Sequence, residues 1–343
     1  MARIFDGHND ALTRKDYEKL SRRRDDGHLD LPRMREGGMR GGIFAIFTPS
    51  PGEEPAQVRL GNGGAYAEPL APPVSHETAA AHATGAAERL FELEREGSIA
   101  IARTIADVDA AFEDGSAPPV AVLHLEGAEA IKPDLEALER WYAKGLRSLG
   151  PVWSRANVFG HGVPFAFPSS PDTGPGLTES GVALVEACAE LGILVDLSHL
   201  NEAGFWDLAR LEPGPLVASH SGAHALCAAS RNLTDAQLEA IGGSGGLVGI
   251  VFATPFLRAD FADDPDTPLE LIAEHARYVA DRIGPEHVAL GSDFDGATVP
   301  APLGDAAGLP RLVEALREVG FDEEGLAAIC RHNWRRVLAA WWR

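Results

Sequence analysis

The chain has 343 residues, 45% hydrophobic and 24% charged, which is enough apolar material for a large globular core. Its formal net charge of −21 argues against the basic face that nucleic acid requires. The three cysteines, Cys188, Cys227 and Cys330, are widely spaced with no CxxC, so neither a thiolate zinc knuckle nor a disulfide framework is indicated, and a reducing compartment fits best.

The first apolar run ends in "IFDGHNDAL" (residues 4–12), read as the tail of a buried strand and the loop that leaves it. Side chains in extended chain repeat every second residue, so His8 and Asp10 project to one side, a geometry that suits a metal. The plainer alternative is a polar turn in which Asp10 caps a helix. This strand begins so early that it leaves no room for a signal peptide. No run reaches the ~20 apolar residues of a membrane span. The end of the chain, "NWRRVLAAWWR", lacks the apolar tail of a lipid-anchor signal. The expectation is a cytoplasmic protein. The basic run "RKDYEKLSRRRDD" that follows reads as a solvated face, or as a segment over the mouth of the fold.

Further along lie the strand "GGIFAIFTP", a loop rich in Gly and Pro at 49–75, and a helix over "AAHATGAAERLFELEREG" that stops at Gly97. The strand "VAVLHLEGAE" presents Glu126 at its end, and "DLEALERWYAKG" is a helix capped by Asp134 and stopped by Gly145. The strand "LRSLGPVWS" and the loop "GVPFAFPSSPDTGPG" precede a helix from Thr178 to Gly192. Three strands follow, "ILVDLSHL" with His199, "PLVASHSG" with His220, and "GLVGIVFA". The helix "PLELIAEHARYVADRIG" leads to the strand "HVALGSDFDG" with Asp293, and "GLAAICRHNWRRVLAAW" closes the chain as one helix.

Most of the strand runs are continuously apolar, the mark of strands buried on both faces of a parallel sheet. Eight of them interleaved with helices predict an α/β fold, a (β/α)₈ TIM-like barrel with inserted loops, forming a single domain over 1–343. An open doubly wound sheet is the alternative, but no GxGxxG follows any strand. A barrel of this type carries its site at the C-terminal ends of the strands. His8, Asp10, Glu126, His199, His220 and Asp293 all fall there. One strand-end histidine is most often a hydrogen-bonded structural residue; six such residues at one mouth suit zinc or another divalent ion. Glu126 could bridge a pair of ions about 3.5 Å apart.

The pieces "DGHND", "LEGAEA", "DLSH", "SHSGAHALCAASRN" and "GSDFDG" resemble the membrane (renal) dipeptidase family of the amidohydrolase superfamily. The resemblance implies two Zn²⁺ per chain, one held by His8, Asp10 and Glu126 and the other by Glu126, His199 and His220. It also implies that Arg231 clamps the substrate's terminal carboxylate and that Asp293 is the acid–base residue. A metal-held hydroxide would attack the peptide bond of L-Xaa-L-Xaa and L-Xaa-D-Xaa dipeptides. The departure is in strand four, where the family places a histidine against the scissile carbonyl and this chain has Trp153. Trp153, Arg155, Asn157 or His161 could supply the missing donor, or the metal could polarise the carbonyl unaided. An amidohydrolase acting on N-acyl amino acids or lactones, and a non-catalytic metal- or peptide-binding barrel, are the alternatives. No membrane or nucleic-acid partner is expected, and a homo-oligomer is left open. His28, His76, His82 and His275 lie away from strand ends, His124 is assigned a packed or supporting role, and Asp295 a turn or a supporting one.

Overall fold

The computed structural model describes residues 2–14, 16, 19–50, 61, 63–113 and 117–342. Residues 51–60 and 62 of the Gly/Pro-rich loop, and Lys15, Tyr17 and Glu18 of the basic run, lie outside the described residues.

All eight expected strands form: β1 (Ile4–Asn9), β2 (Met39–Phe47), β3 (Val120–Glu126), β4 (Leu146–Gly150), β5 (Leu194–Val195), β6 (Val217–Ser221), β7 (Leu247–Ile250) and β8 (Val288–Leu290). They divide into two parallel sheets. One runs β1-β2-β3-β4-β5, with the short strand Ala100–Ile101 also on β3; the other runs β6-β7-β8. The expected single eight-stranded ladder is therefore met in part. At the two seams only single parallel bridges occur, Asp196 with Val217 and Asn9 with Phe294. Backbone bonds accompany each, from Leu197 N–H to Val217 O (2.8 Å) and from Asp10 N–H to Phe294 O (2.8 Å). Both seams lie where strand ends carry polar side chains, and those side chains replace ladder bonds there.

β1 and β3 are buried along their whole length, as their apolar runs require. Gly7 of β1 is obligatory for packing. A Cβ there would lie 2.7 Å from Leu290 O and 2.8 Å from Ser219 O, and would enter the Trp334 ring. Trp334 is fully buried and donates its indole N–H to Leu290 O (3.0 Å), tying the last helix to the C-terminal residue of β8.

The helix boundaries follow local chemistry. Thr178 caps Glu179–Leu191 by accepting from Gly181 N–H, and Gly192 ends it in the left-handed region (φ 76°). The helix expected from Asp134 begins at Glu136 instead. Leu135, at φ 58°, precedes it with no side-chain cap, and Asp134 Oδ1 accepts from Glu136 N–H (3.1 Å). The closing helix is also not continuous: Glu323–Ala327 and Asn333–Trp341 are separated by a π-helical turn, Ala328–His332. Among the described residues no helix is long and apolar enough to cross a membrane.

Candidate metal centre

The strand ends bring six of the expected residues to one point, with Glu126 at the centre. Its Oε1 lies 2.8 Å from His199 Nε2, 3.5 Å from His220 Nε2 and 3.6 Å from His8 Nε2. His8 and Asp10 face the same side, as strand alternation requires, with Nε2 and Oδ2 3.7 Å apart. Asp10 is followed by turn and bend residues at 11–14 rather than by a helix it could cap directly, and its carbonyl accepts from the Thr13 backbone and hydroxyl. His199 and His220 bring their Nε2 atoms within 3.2 Å of each other. Asp293 joins His8 and Asp10 in a further group whose donor atoms all lie within 4.8 Å.

Asp293 sits in the left-handed region at φ 59°, uncommon for a residue with a side chain. Its N–H donates to His8 O (2.9 Å), which fixes it over β1. Gly296 is required by the same turn, because a Cβ there would run into the carboxylates of both Asp10 and Asp293.

Burial and mutual repulsion set the charges. Burial opposes charge on His8, but Glu126, Asp10 and Asp293 outweigh it and raise its pKa to about 10. Burial also opposes ionisation of Glu126, yet His8 and His199 hold it well below the usual carboxylate range. Burial, reinforced by Glu126, pushes Asp10 well up, and burial lifts Asp293 to about 6. Burial and Arg231 bring His199 down to about 4; burial, His8 and Arg231 lower His220. The carboxylates thus hold His8 as a cation while His199 and His220 are neutral; this is positive charge that a divalent cation would replace.

The residues fit a metal on independent grounds. His8 Nε2 and Asp10 Oδ1 are buried in the cluster with no hydrogen-bond partner. Such orphaned atoms are costly unless something else satisfies them. The donor separations of 3.2 to 3.7 Å among His8, Asp10, His199, His220 and Glu126, apart from the closer His199–Glu126 pair, are close to the edge of a tetrahedron with ~2.0–2.1 Å bonds, about 3.3 Å.

Arg231 is buried beside them, its Nη2 2.7 Å from His220 Nε2 and 3.1 Å from His199 Nε2, while its Nε has no partner. Burial lowers its pKa to about 10. Trp153 lies with its ring 5.8 Å from that of His199, against Phe47 at 4.6 Å. The other strand-four candidates are engaged elsewhere. Arg155 is fully buried and bonds Glu129 (3.0 Å), Ser50 (2.9 Å) and Thr48 O. Asn157 closes a turn on Phe159 and Gly160, and His161 contacts Gly176 O at 3.3 Å.

A polar layer beneath the ligands escaped the sequence reading. Asp6 accepts from Ser292 N–H (2.7 Å) and Oγ–H (2.9 Å), Ser154 Oγ meets His199 Nδ1 at 2.9 Å, and Asp196 with Ser219 backs His220. Asp6 was detectable, being two residues before His8 on an alternating strand; the serines carry no such signal. His124 holds the supporting place assigned to it, its Nδ1 2.8 Å from Ser148 Oγ and its ring edge-on to His8. His28 lies in a loop as expected, and the basic run is not simply a solvated face. Arg24 is fully buried and pairs with Asp295, which sits at φ 69° and accepts from His28 N–H at 2.6 Å. The loop after β1 is thus anchored beside the site rather than wholly solvated.

The family model described as membrane dipeptidase, peptidase family M19, matches residues 1–341. This chain belongs to the membrane dipeptidase family. Members are metallopeptidases that hydrolyse dipeptides, and this chain is a metallo-dipeptidase of that kind. A solved structure described as the dipeptidase AC, a metallopeptidase of family M19, is 46% identical, covers 100% of this chain and 99% of its own, and superposes with a TM-score of 0.92. A metallopeptidase from Rhodobacter sphaeroides, liganded with a phosphinate mimic of the dipeptide L-Ala-D-Ala, is 45% identical over 99% of each chain, TM-score 0.92. An uncharacterised protein from the pqqA 5′ region of Klebsiella pneumoniae is 49% identical over 72% of this chain and 90% of its own.

Proposed function

We propose that the chain is a two-zinc dipeptidase that hydrolyses L-Xaa-L-Xaa and L-Xaa-D-Xaa dipeptides. The observation that carries the proposal is Glu126 Oε1 standing within 2.8 to 3.6 Å of three histidine Nε2 atoms. His8, Asp10 and Glu126 would hold one ion and Glu126, His199 and His220 the other. The ions, when bound, would supply a Lewis acid for the scissile carbonyl and lower the pKa of water. We read the two sheets as the halves of one (β/α)₈ barrel domain closed at its seams. The buried, unpaired state of Cys188, Cys227 and Cys330 supports a cytoplasmic setting.

The remaining steps belong to the chain's own side chains. Asp293, beside Asp10 and lifted toward neutrality, takes up a proton from the attacking water and delivers it to the departing amine nitrogen. Arg231 offers its unpartnered Nε–H to the C-terminal carboxylate, and an Nη2–H now directed at the histidines would turn to it once their Nε2 atoms ligate metal, completing a two-point clamp. Among the described residues no group accepts from the Trp153 indole N–H, which leaves it for the carbonyl oxygen in place of the usual histidine. The Rhodobacter sphaeroides relative's L-Ala-D-Ala mimic supports tolerance of a D-residue at the C-terminal position.

The test is a panel of L–L and L–D dipeptides, N-acyl amino acids and lactones presented to the zinc-loaded protein. Dipeptides of both series should be cleaved and N-acyl amino acids should not. Preference for substrates lacking a free α-amine would overturn the assignment.

A further inference from the structure

A histidine ligates through Nε2 only when its proton resides on Nδ1. In this molecule one hydroxyl makes that choice for two histidines. Asp196, buried just past β5, receives three donors at Oδ1: Ser198 N–H (3.1 Å), Ser198 Oγ–H (2.7 Å) and Ser219 N–H (2.8 Å). Its Oδ2 receives the Ser219 hydroxyl. A carboxylate saturated with donors accepts only, so the single hydrogen of Ser219 is committed to it. Ser219 Oγ can then only accept from its other neighbours, His220 Nδ1 at 2.8 Å and His8 Nδ1 at 3.4 Å; Ser198 Oγ also lies 3.2 Å away, but its own hydrogen goes to Asp196 Oδ1 at the shorter 2.7 Å.

Both imidazoles are thereby held with hydrogen on Nδ1: neutral His220 keeps a lone pair on Nε2, and His8, which the surrounding carboxylates keep charged without metal, would free its Nε2 lone pair on giving up its second proton as a metal binds. A second observation agrees for His220. Arg231 has no acceptor atoms, and its Nη2 lies 2.7 Å from His220 Nε2, which therefore carries the lone pair.

We infer that Asp196 and Ser219 are positioning residues that set the ligating tautomer of His8 and His220 together, one ligand in each of the two ion sites. The inference rests on the ligand assignment proposed above. It has a counter-intuitive consequence. Asp196→Asn is nearly isosteric, and its carbonyl would keep the Oδ1 contacts. Its NH₂ would then face Ser219 Oγ and donate to it. The Ser219 hydrogen would turn to His220 Nδ1 and drive the imidazole proton onto Nε2, where it blocks ligation. Ser219→Ala merely removes the partner of Nδ1 and leaves the tautomer free. The near-isosteric change should therefore do more harm than the truncation.

Supporting partners of metal-binding histidines are typically worth 10–100-fold in metal affinity. Competition titration of Zn²⁺ against a chelator should show a loss of roughly tenfold for Ser219→Ala and roughly 100-fold for Asp196→Asn. In metal-free protein the imidazole ¹⁵N shifts should place the His220 proton on Nδ1 in the wild type and on Nε2 in Asp196→Asn. A merely space-filling Asp196 would give the reverse order of affinities and no tautomer change, and that result overturns the inference. If Asp196→Asn does not fold, Ser219→Thr decides: its hydroxyl should restore the affinity lost in Ser219→Ala, and equal loss in both overturns the relay. His220→Asn separates the two levels. Should it keep wild-type zinc affinity, the ligand assignment fails and the inference with it. Loss of zinc in His220→Asn, with none in Asp196→Asn or Ser219→Ala, sinks the inference alone.

Discussion

Replacing Asp293 by Asn separates proton transfer from metal binding. The substitution is mild for the backbone, since Asn tolerates the left-handed conformation at φ 59° as Asp does, and the N–H bond to His8 O at 2.9 Å is kept. What is lost is the ability to carry a proton. Positioned acid–base catalysis is worth ~10²–10⁴-fold, or roughly 3–5 kcal/mol of barrier, and kcat should fall by that much. Folding stability should move the other way. Burial, with Glu126 adding to it, raises the Asp293 pKa from 3.8 to about 6, so at pH 7 the native state holds a charge it disfavours. The sign follows from linkage. Between 3.8 and about 6 the folded protein binds the proton more tightly than the unfolded chain, so stability falls as pH rises through that window. Removing the charge recovers at most about 3 kcal/mol in the metal-free protein at pH 7. The assays are turnover of an L–L dipeptide, metal content and thermal unfolding on one preparation. A fully metallated mutant with near-wild-type turnover refutes the role, as does loss of metal in step with activity.

Other expected outcomes follow from the same geometry. Arg231→Met should lower kcat/KM for dipeptides roughly ten- to more than a hundredfold, since a charged hydrogen bond is worth ~1.5–3 kcal/mol. C-terminally amidated dipeptides should be poor for the wild type and little worse for the mutant, and equal cleavage of amidated and free forms would remove the clamp. Trp153→Phe keeps the ring against Phe47 but deletes the N–H, so kcat should drop by roughly 10²-fold with little change in KM; unchanged kcat would show that the metal alone polarises the carbonyl. His275 is buried, accepts from Ala223 N–H (3.0 Å) and donates to Leu257 O (3.1 Å), and burial lowers its pKa to about 4. The unfolded chain takes up that proton from about pH 6.5 downward, so stability should fall between pH 6.5 and 4 by about 3 kcal/mol from this residue alone. Urea titrations of wild type and His275→Gln across that range should differ in slope, and parallel curves would contradict the assignment.

The candidate ligands were legible because strand alternation and strand ends are written in the sequence. His8-x-Asp10 needed only a two-residue period, and Glu126, His199, His220 and Asp293 each close an apolar run. Less legible was everything that depends on which side chain a loop residue meets. Trp153, Arg155, Asn157 and His161 are equivalent as a list of donors; only the structure shows Arg155 spent on Glu129 and Asn157 on a turn. The serines beneath the ligands are small, common and spread over three strand ends, so neither composition nor period marks them. Arg24 looked like part of a solvated basic run because its partner, Asp295, lies 271 residues away. The seams were hidden for a related reason: side-chain bonding there replaces ladder pairing, and backbone pairing leaves little trace in residue type.

The central claim is that Glu126 serves two ions at once, and metal analysis of wild type and Glu126→Gln tests it most directly. Gently purified wild type should carry close to two equivalents per chain, and chelation should abolish hydrolysis. Glu126→Gln should lose affinity at both sites together, because Oε1 faces His8, His199 and His220 at once. A wild type fully active with one tightly held ion, or a Glu126→Gln variant that keeps either ion at wild-type affinity, would contradict the account.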